Sequence, residues 1–162
     1  MKFKFGTKAE TLENLKKYLK IAYLPDQMYF TLHDWNKNSK SIIEKILSKY
    51  PNKLIAVRSS GLNEDIVSQS LAGVYESEIN VSSNFLKIKK AIEKVANSYG
   101  TYNRLNQILV QPMIENVNIS GVIFSYDLST GAPYITINYD DFSGRTDTVT
   151  SGADSKCIYI DR

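Results

Sequence analysis

Cysteine and histidine are nearly missing from this chain of 162 residues, which has one of each, Cys157 and His33. A single cysteine excludes a disulfide framework and any cysteine-cluster metal site. A single histidine excludes a metal centre built on two imidazoles and leaves little room for histidine acid–base chemistry. His33 has no chemical partner in its neighbourhood, and Cys157 carries no activating pattern, so a buried, inert thiol is expected. No apolar run approaches the ~20 residues of a membrane-spanning helix. The opening Met1-Lys2-Phe3-Lys4-Phe5-Gly6 has no apolar h-region, so a secretory leader is not expected and the cytoplasm is the default compartment. Arginine is scarce as well. Arg58, Arg104, Arg145 and Arg162 stand against sixteen lysines.

What remains is an ordinary globular composition. Hydrophobic residues make up 43% and charged residues 23%, enough apolar content to exclude disorder. The length fits one domain, or a domain with a small subdomain. The net charge of +3 is carried by lysines along helical stretches, such as Lys16, Lys17 and Lys20 or Lys87, Lys89 and Lys90, which read as solvated faces. Neither a nucleic acid nor a membrane is expected as partner. The scarce arginines draw more interest, because the guanidinium fork is the group that grips phosphate with two bonds.

Thr7-Lys8-Ala9-Glu10 has the spacing of a capping box. Apolar residues follow at Ala9, Leu12, Leu15 and Leu19, so a helix is predicted from Thr7 to near Lys20. Met28 to Leu32 is a short β-prone run. Ile42, Ile43, Ile46 and Leu47 mark a second helix, ended by Pro51. Leu54 to Arg58 reads as a buried strand and Gly61 to Gly73 as a long polar loop, a kind that is usually functional. Val74 to Val81 reads as a strand, Asn84 to Tyr99 as the clearest helix, and Ile108 to Gln111 as another buried strand. Strands are predicted over Gly121–Tyr126 and Tyr134–Tyr139, with two more over Thr146–Thr150 and Cys157–Ile160. Helices come first and strands later, which indicates an α+β fold with helices packed on a mostly antiparallel sheet.

Four places hold residues with chemistry to offer. Val57-Arg58-Ser59-Ser60-Gly61 puts an arginine and two hydroxyls at the end of a buried strand, where they suit a phosphate. The same residues also suit an arginine paired with a core carboxylate. Leu71-Ala72-Gly73 allows close backbone approach to a ligand, or a simple bulge. Lys8 sits in the first helical turn, where the helix dipole disfavours a cation. A phosphate shared by lysine and helix end would reverse that penalty, although a solvated lysine also fits. Asp140, Asp141 and Asp147, with Asn138, offer the oxygen ligands that hold Mg²⁺ beside nucleotide phosphates, or a polar strand end.

Taken in order, these blocks resemble the N-terminal ATP-grasp domain of the phosphoenolpyruvate synthase and pyruvate phosphate dikinase family. Ala56-Val57-Arg58-Ser59-Ser60-Gly61-Leu62-Asn63-Glu64-Asp65 resembles its VRSSA-x-x-ED block. Ser70-Leu71-Ala72-Gly73 and Ile79-Asn80-Val81 resemble its FAG and LNV blocks. Val110-Gln111-Pro112-Met113 resembles VQ-x-M, and Ser120 to Gly131 resembles SGV-x-FT-x-DP-x-TG. Gly6 to Leu12 resembles GGKGANL. The resemblance implies an ATP-grasp-like fold of two small subdomains, residues 1–106 on the phosphate side and 107–162 on the adenine and metal side.

Roles follow from the resemblance. Lys8 and Arg58 contact the ATP phosphates and serve catalysis, with Ser59 and Ser60 beside them. The loop ending in Gly73 folds over the phosphates, and Gln111, Pro112 and Met113 receive adenine. The family's metal ligands do not carry over one to one, since Ala132 stands where the family often has glutamate and its GLGE-like stretch is replaced by residues 138–147; Asp140, Asp141 and Asp147 are the candidate carboxylates for magnesium here. The implied activity is that of an ATP-dependent phosphotransferase using ATP and Mg²⁺. In the whole enzyme a histidine on a swivelling domain takes the phosphoryl group and carries it to an acceptor site. His33 is not in that context. The swivelling and acceptor domains are therefore expected outside this sequence, which reads as a truncated fragment unable to complete the reaction alone. Short members encoded with capsule biosynthesis genes, among them an L-glutamine kinase forming AMP and phosphate, resemble it most. The alternative is a degenerate ATP-grasp fold that acts as a non-catalytic interaction module.

Overall fold

The computed structural model describes residues 3–62, 75–150 and 155–161. The chain divides into two units, Met1–Met113 and Ile114–Arg162.

In the first unit the elements run α1 (Lys8–Leu15), β1 (Met28–Thr31), α2 (Leu32–Lys49), β2 (Leu54–Ser60), β3 (Ser77–Ser82), α3 (Phe85–Ser98) and β4 (Gln107–Pro112). Four strands form one sheet in the order β1-β4-β2-β3, and every neighbouring pair is antiparallel. Helix α3 forms because Ile88, Ala91, Ile92 and Val95 recur at helical spacing and all face inward. Asn84 caps it, accepting from the backbone N–H groups of Leu86 and Lys87. Helix α2 is capped by Thr31, whose hydroxyl accepts from the Asp34 N–H while Asp34 accepts in return from Thr31. Its buried stripe is Leu32, Trp35, Ile42, Ile43 and Ile46, and Asn38 breaks the helical backbone with φ of −139°. These stripes pack with Phe30, Ile55, Val57, Val81, Ile108 and Val110 of the sheet into one apolar core. Ile43, Ile46, Ile88 and Ile92 are each at most 1% exposed, and burying such a side chain contributes about 1.5–3 kcal/mol.

The second unit is a small antiparallel sheet ordered β5-β6-β7, with β5 (Ser120–Phe124), β6 (Ile135–Asp140) and β7 (Lys156–Ile160). Asp127 builds the connection between β5 and β6. Its Oδ1 accepts from the backbone N–H of Ser129 and Thr130 and from both their hydroxyls. Gly131 completes the turn at a left-handed φ of +71°.

The α+β, mostly antiparallel class is as the sequence indicates. Several boundaries are not. Helix α1 stops at Leu15, and residues 16–18 form a turn, so the helix does not continue to Lys20. Helix α2 starts ten residues before its isoleucine cluster, because the Thr31–Asp34 cap sets it directly after β1. Thr146–Thr150 is bend and turn, not strand; Arg145, just before it, pairs with Asp147 inside it. Cys157 is exposed rather than buried, as is every residue of β7. Strand β4 lies between β1 and β2 at the centre of the first sheet and so belongs with the first unit, Met1–Met113.

Candidate functional site

The first cluster is built where the tip of α1 meets the end of β2. Thr7 is the helix cap and Glu10 closes the box, so the sequence signal for this helix start is correct. The tip is then fastened to the sheet. The Ala9 N–H donates to Ser60 Oγ at 2.9 Å, and Lys8 Nζ lies 3.4 Å from the Ser59 carbonyl oxygen. Thr7 Oγ1 donates to Gln107 Oε1 at 2.7 Å, and Gln107 Nε2 returns to Glu10 Oε1 at 2.9 Å. Tyr99 closes the network: its hydroxyl accepts from the Ser60 N–H at 2.8 Å and donates to the Gln107 carbonyl. Gly61 follows directly, and a Cβ there would stand 3.2 Å from the Tyr99 ring, which explains why a residue without a side chain suits the position.

Side chains alternate along β2, so Ala56, Arg58 and Ser60 share one face and Ile55 and Val57 the other. Ile55 and Val57 enter the core with α2 and α3. The Ser60 hydroxyl that holds α1 therefore marks the opposite face, the face of Arg58. The Arg58 side chain is exposed, on a strand residue registered between Leu109 and Ser77. Lys8 and the Arg58–Ser60 segment, about fifty positions apart in sequence, are thus brought together. Ser59 and Ser60 are 1% and 0% exposed. The Ser60 hydroxyl is engaged with α1, so its service to the site is to hold the Lys8-bearing tip in place.

Farther along β4, Gln111 Nε2 lies 3.4 Å from Gln27 Oε1, and the Met113 N–H donates to the Leu54 carbonyl at 2.9 Å. Gln111, Pro112 and Met113 are all half-buried. Gly73 lies outside the described residues, as do the other residues from 63 to 74.

The carboxylates of the second unit are placed separately. Asp140, 8% exposed, accepts from the N–H groups of Phe142 and Ser143 at 2.9 and 3.0 Å and from the Ser143 hydroxyl. Those donors, the hydroxyl foremost, hold its carboxyl far below the usual carboxylate range. Asp141 pairs with Lys156 at 2.7 Å, and Lys156 also stands over the Tyr139 ring. Asp147 is gripped by Arg145 through two bonds of 2.9 and 2.8 Å, which lowers its pKa. Asp140 and Asp141 line an open cleft of about 520 Å³ with Tyr139, Phe142 and Ser143. Among the described residues no three metal-ligating side chains converge. These oxygens do not form a cage of their own. They are hard anionic donors of the kind that takes up Mg²⁺ already carried on phosphates, which requires only one or two carboxylates.

Sequence reasoning did not reach Tyr99 and Gln107 as parts of this site. Tyr99 read only as an inward residue of its helix, and Gln107 lay just before a buried strand. Their partners are 39 and 100 positions away, so no local pattern announces them.

The model of one protein family, described as pyruvate phosphate dikinase, AMP/ATP-binding domain, matches residues 9–141. No curated protein matches the chain.

Proposed function

Since the chain belongs to the pyruvate phosphate dikinase AMP/ATP-binding domain family, and so carries a domain for ATP or AMP, we propose that it binds ATP with magnesium and supplies a phosphoryl group. Lys8 and Arg58 are the cations for the phosphates. The observation that carries this assignment is the joining of α1 to the end of β2, with Lys8 Nζ against the Ser59 carbonyl and the Ala9 N–H on Ser60. A lysine in the first turn of a helix is disfavoured by the dipole; an anion beside it turns both cation and helix end into attractions. Two fixed cations also suit phosphoryl transfer, where catalysis is mainly positioning and charge stabilisation. Gln111, Pro112 and Met113 are assigned to the adenine side and Gly73 to the phosphate-covering loop.

Asp140, Asp141 and Asp147 are assigned to magnesium arriving on the nucleotide. The ion would neutralise phosphate charge, and the carboxylates would orient it. In the full-length enzyme the phosphoryl group would pass to a histidine on a swivelling domain and then to an acceptor. Glutamine, with AMP and phosphate as products, is one acceptor compatible with this ATP-binding half, as are pyruvate, a glucan or an antibiotic. A second reading, a degenerate fold acting as an interaction module, is favoured by one observation: Asp141 and Asp147 are each already neutralised by a basic partner.

Calorimetric titration with ATP, with and without magnesium, separates the two readings. The proposal expects magnesium-dependent ATP binding that GTP does not match, lost by tenfold or more in a folded Arg58→Ala variant, as for a charge-assisted phosphate contact worth ~1.5–3 kcal/mol. Undiminished affinity in that variant removes Arg58 from the site. Equal affinity with and without magnesium, in wild type and Asp147→Asn alike, favours the interaction module.

A further inference from the structure

The positive charge of this chain is concentrated at one end. Residues 1–24 hold six lysines and two glutamates, a net of +4, whereas the rest of the chain holds 14 basic and 15 acidic residues. The same segment carries apolar side chains that the fold leaves in water. Ile21 is 100% exposed, Tyr23 82% and Phe5 77%. Phe5 belongs to an aromatic cluster with Phe3 and Tyr18, and Ile21 and Tyr23 follow Tyr18 directly along the chain. Phe3 packs edge-on against both Phe5 and Tyr18, at 4.8 and 5.5 Å between ring centres, and the Asn14 amide holds the Lys4 carbonyl. The stretch from 3 to 5 is thereby fixed to the end of α1, from which residues 19–23 run on.

Local acids do not neutralise the patch. Glu13 and Asp26 both pair with Lys16. Lys4, Lys17 and Lys20 are exposed and have no carboxylate partner among the described residues. Scattered exposed apolar residues need no explanation, but several together, rimmed by charge of one sign, mark an interaction surface.

We infer that residues 3–23 form a docking surface for an anionic lipid bilayer. Three features select that partner. The cations are all lysine, a residue depleted from protein–protein interfaces. The apolar set mixes aromatic rings with isoleucine, which suits the headgroup boundary; isoleucine has no ring to stack on the bases of single-stranded RNA. An excess of unpaired lysines complements the negative surface of acidic lipids, at about fivefold in affinity for each lysine near the membrane. Contrary to the expectation that a membrane is no partner, this surface binds a bilayer from outside, and it spans nothing. Lys8 lies within this stretch but is assigned to the phosphates, and the docking surface rests on Lys4, Lys17 and Lys20 instead.

The test is co-sedimentation of the chain with phosphatidylglycerol–phosphatidylcholine vesicles and with pure phosphatidylcholine vesicles. Binding to the acidic vesicles alone is expected, and it should vanish near 1 M salt, where the screening length falls to ~3 Å. Lys17→Gln with Lys20→Gln should lower affinity about 25-fold at low salt. Ile21→Ser with Tyr23→Ser should lower it at least tenfold. All four side chains are exposed, so thermal unfolding of the variants should match wild type. Failure to bind acidic vesicles, binding unchanged by either pair of substitutions, or preference for single-stranded RNA over vesicles would overturn the inference.

Discussion

Tyr99→Phe deletes one oxygen atom and should destabilise the first unit out of proportion to that change. The residue is 7% exposed, so water cannot replace what is lost. Its hydroxyl is the acceptor for the Ser60 N–H and a donor to the Gln107 carbonyl. The carbonyl keeps a second lone pair for other donors. The N–H is left buried without its partner, which costs about 1–3 kcal/mol, and the net value of the lost donated bond adds up to about 1 kcal/mol. An expected total near 2–3 kcal/mol is a sizeable share of the ~5–15 kcal/mol typical of a folded domain. Urea unfolding should show the midpoint falling by about 1–2 M with the slope unchanged. Amide exchange at Ser60 should accelerate in step. Tyr102→Phe is the matched control: Tyr102 is 59% exposed, its hydroxyl accepts only from the Asn36 amide at 3.1 Å among the bonds described, and its loss should stay within ~0.5 kcal/mol. If Tyr99→Phe falls within that same margin, the hydroxyl does not hold the Ser60–Gln107 end of the two strands, and this support for the site is refuted.

Thr7→Ala removes the α1 cap and the donor to Gln107 together and should cost about 2 kcal/mol by chemical denaturation, at the high end for a cap; a loss below ~0.5 kcal/mol would detach Gln107 from the scheme. Ile92→Ala, at a position 0% exposed, should cost about 2–5 kcal/mol in thermal unfolding. The hydroxyls of Ser129 and Thr130 lower Asp127 from 3.8 to about 2. Its folded pKa lies below its unfolded one, so its contribution is fully present above pH ~5 and fades as pH falls toward 2. Acid titration followed by the Ser129 and Thr130 amide signals should show that loss, and Asp127→Asn should flatten it; an unchanged profile would mean that another carboxylate controls the turn.

Features with a short sequence signature were legible. The Thr7–Glu10 box, the Asn84 cap with its four inward residues, and the buried runs of β2 and β4 each contain their own cause within one element. The Thr31–Asp34 cap was hidden because β1 ends on the same threonine, so a β-prone run masked a helix start. Thr146–Thr150 has β-branched residues at strand spacing, yet the Arg145–Asp147 pair and the Ser143 hydroxyl bend the chain before it. Cys157 looked buried because of its type, and β7 has no covering neighbour among the described residues. For the site, Lys8 and Arg58 stood out as misplaced or scarce charges. Tyr99, Gln107 and Gln27 did not, since each acts on a partner in a distant element.

The fastening of α1 has a consequence for the order of assembly during synthesis. Thr7 and Glu10 hold Gln107 across 100 and 97 positions. At ~5–20 residues per second, the ribosome makes β4 roughly 5–20 s after the helix that it anchors. An eight-residue helix is too short to persist alone in water. The tip of α1 can meet β2 through Ser59 and Ser60 once that strand is made, but its fastening through Thr7 and Glu10 is completed only when the central strand enters the sheet. The helix that carries Lys8 should therefore reach its full protection from amide exchange only after that strand has left the exit tunnel, so this end of the fold is completed last although it is made first.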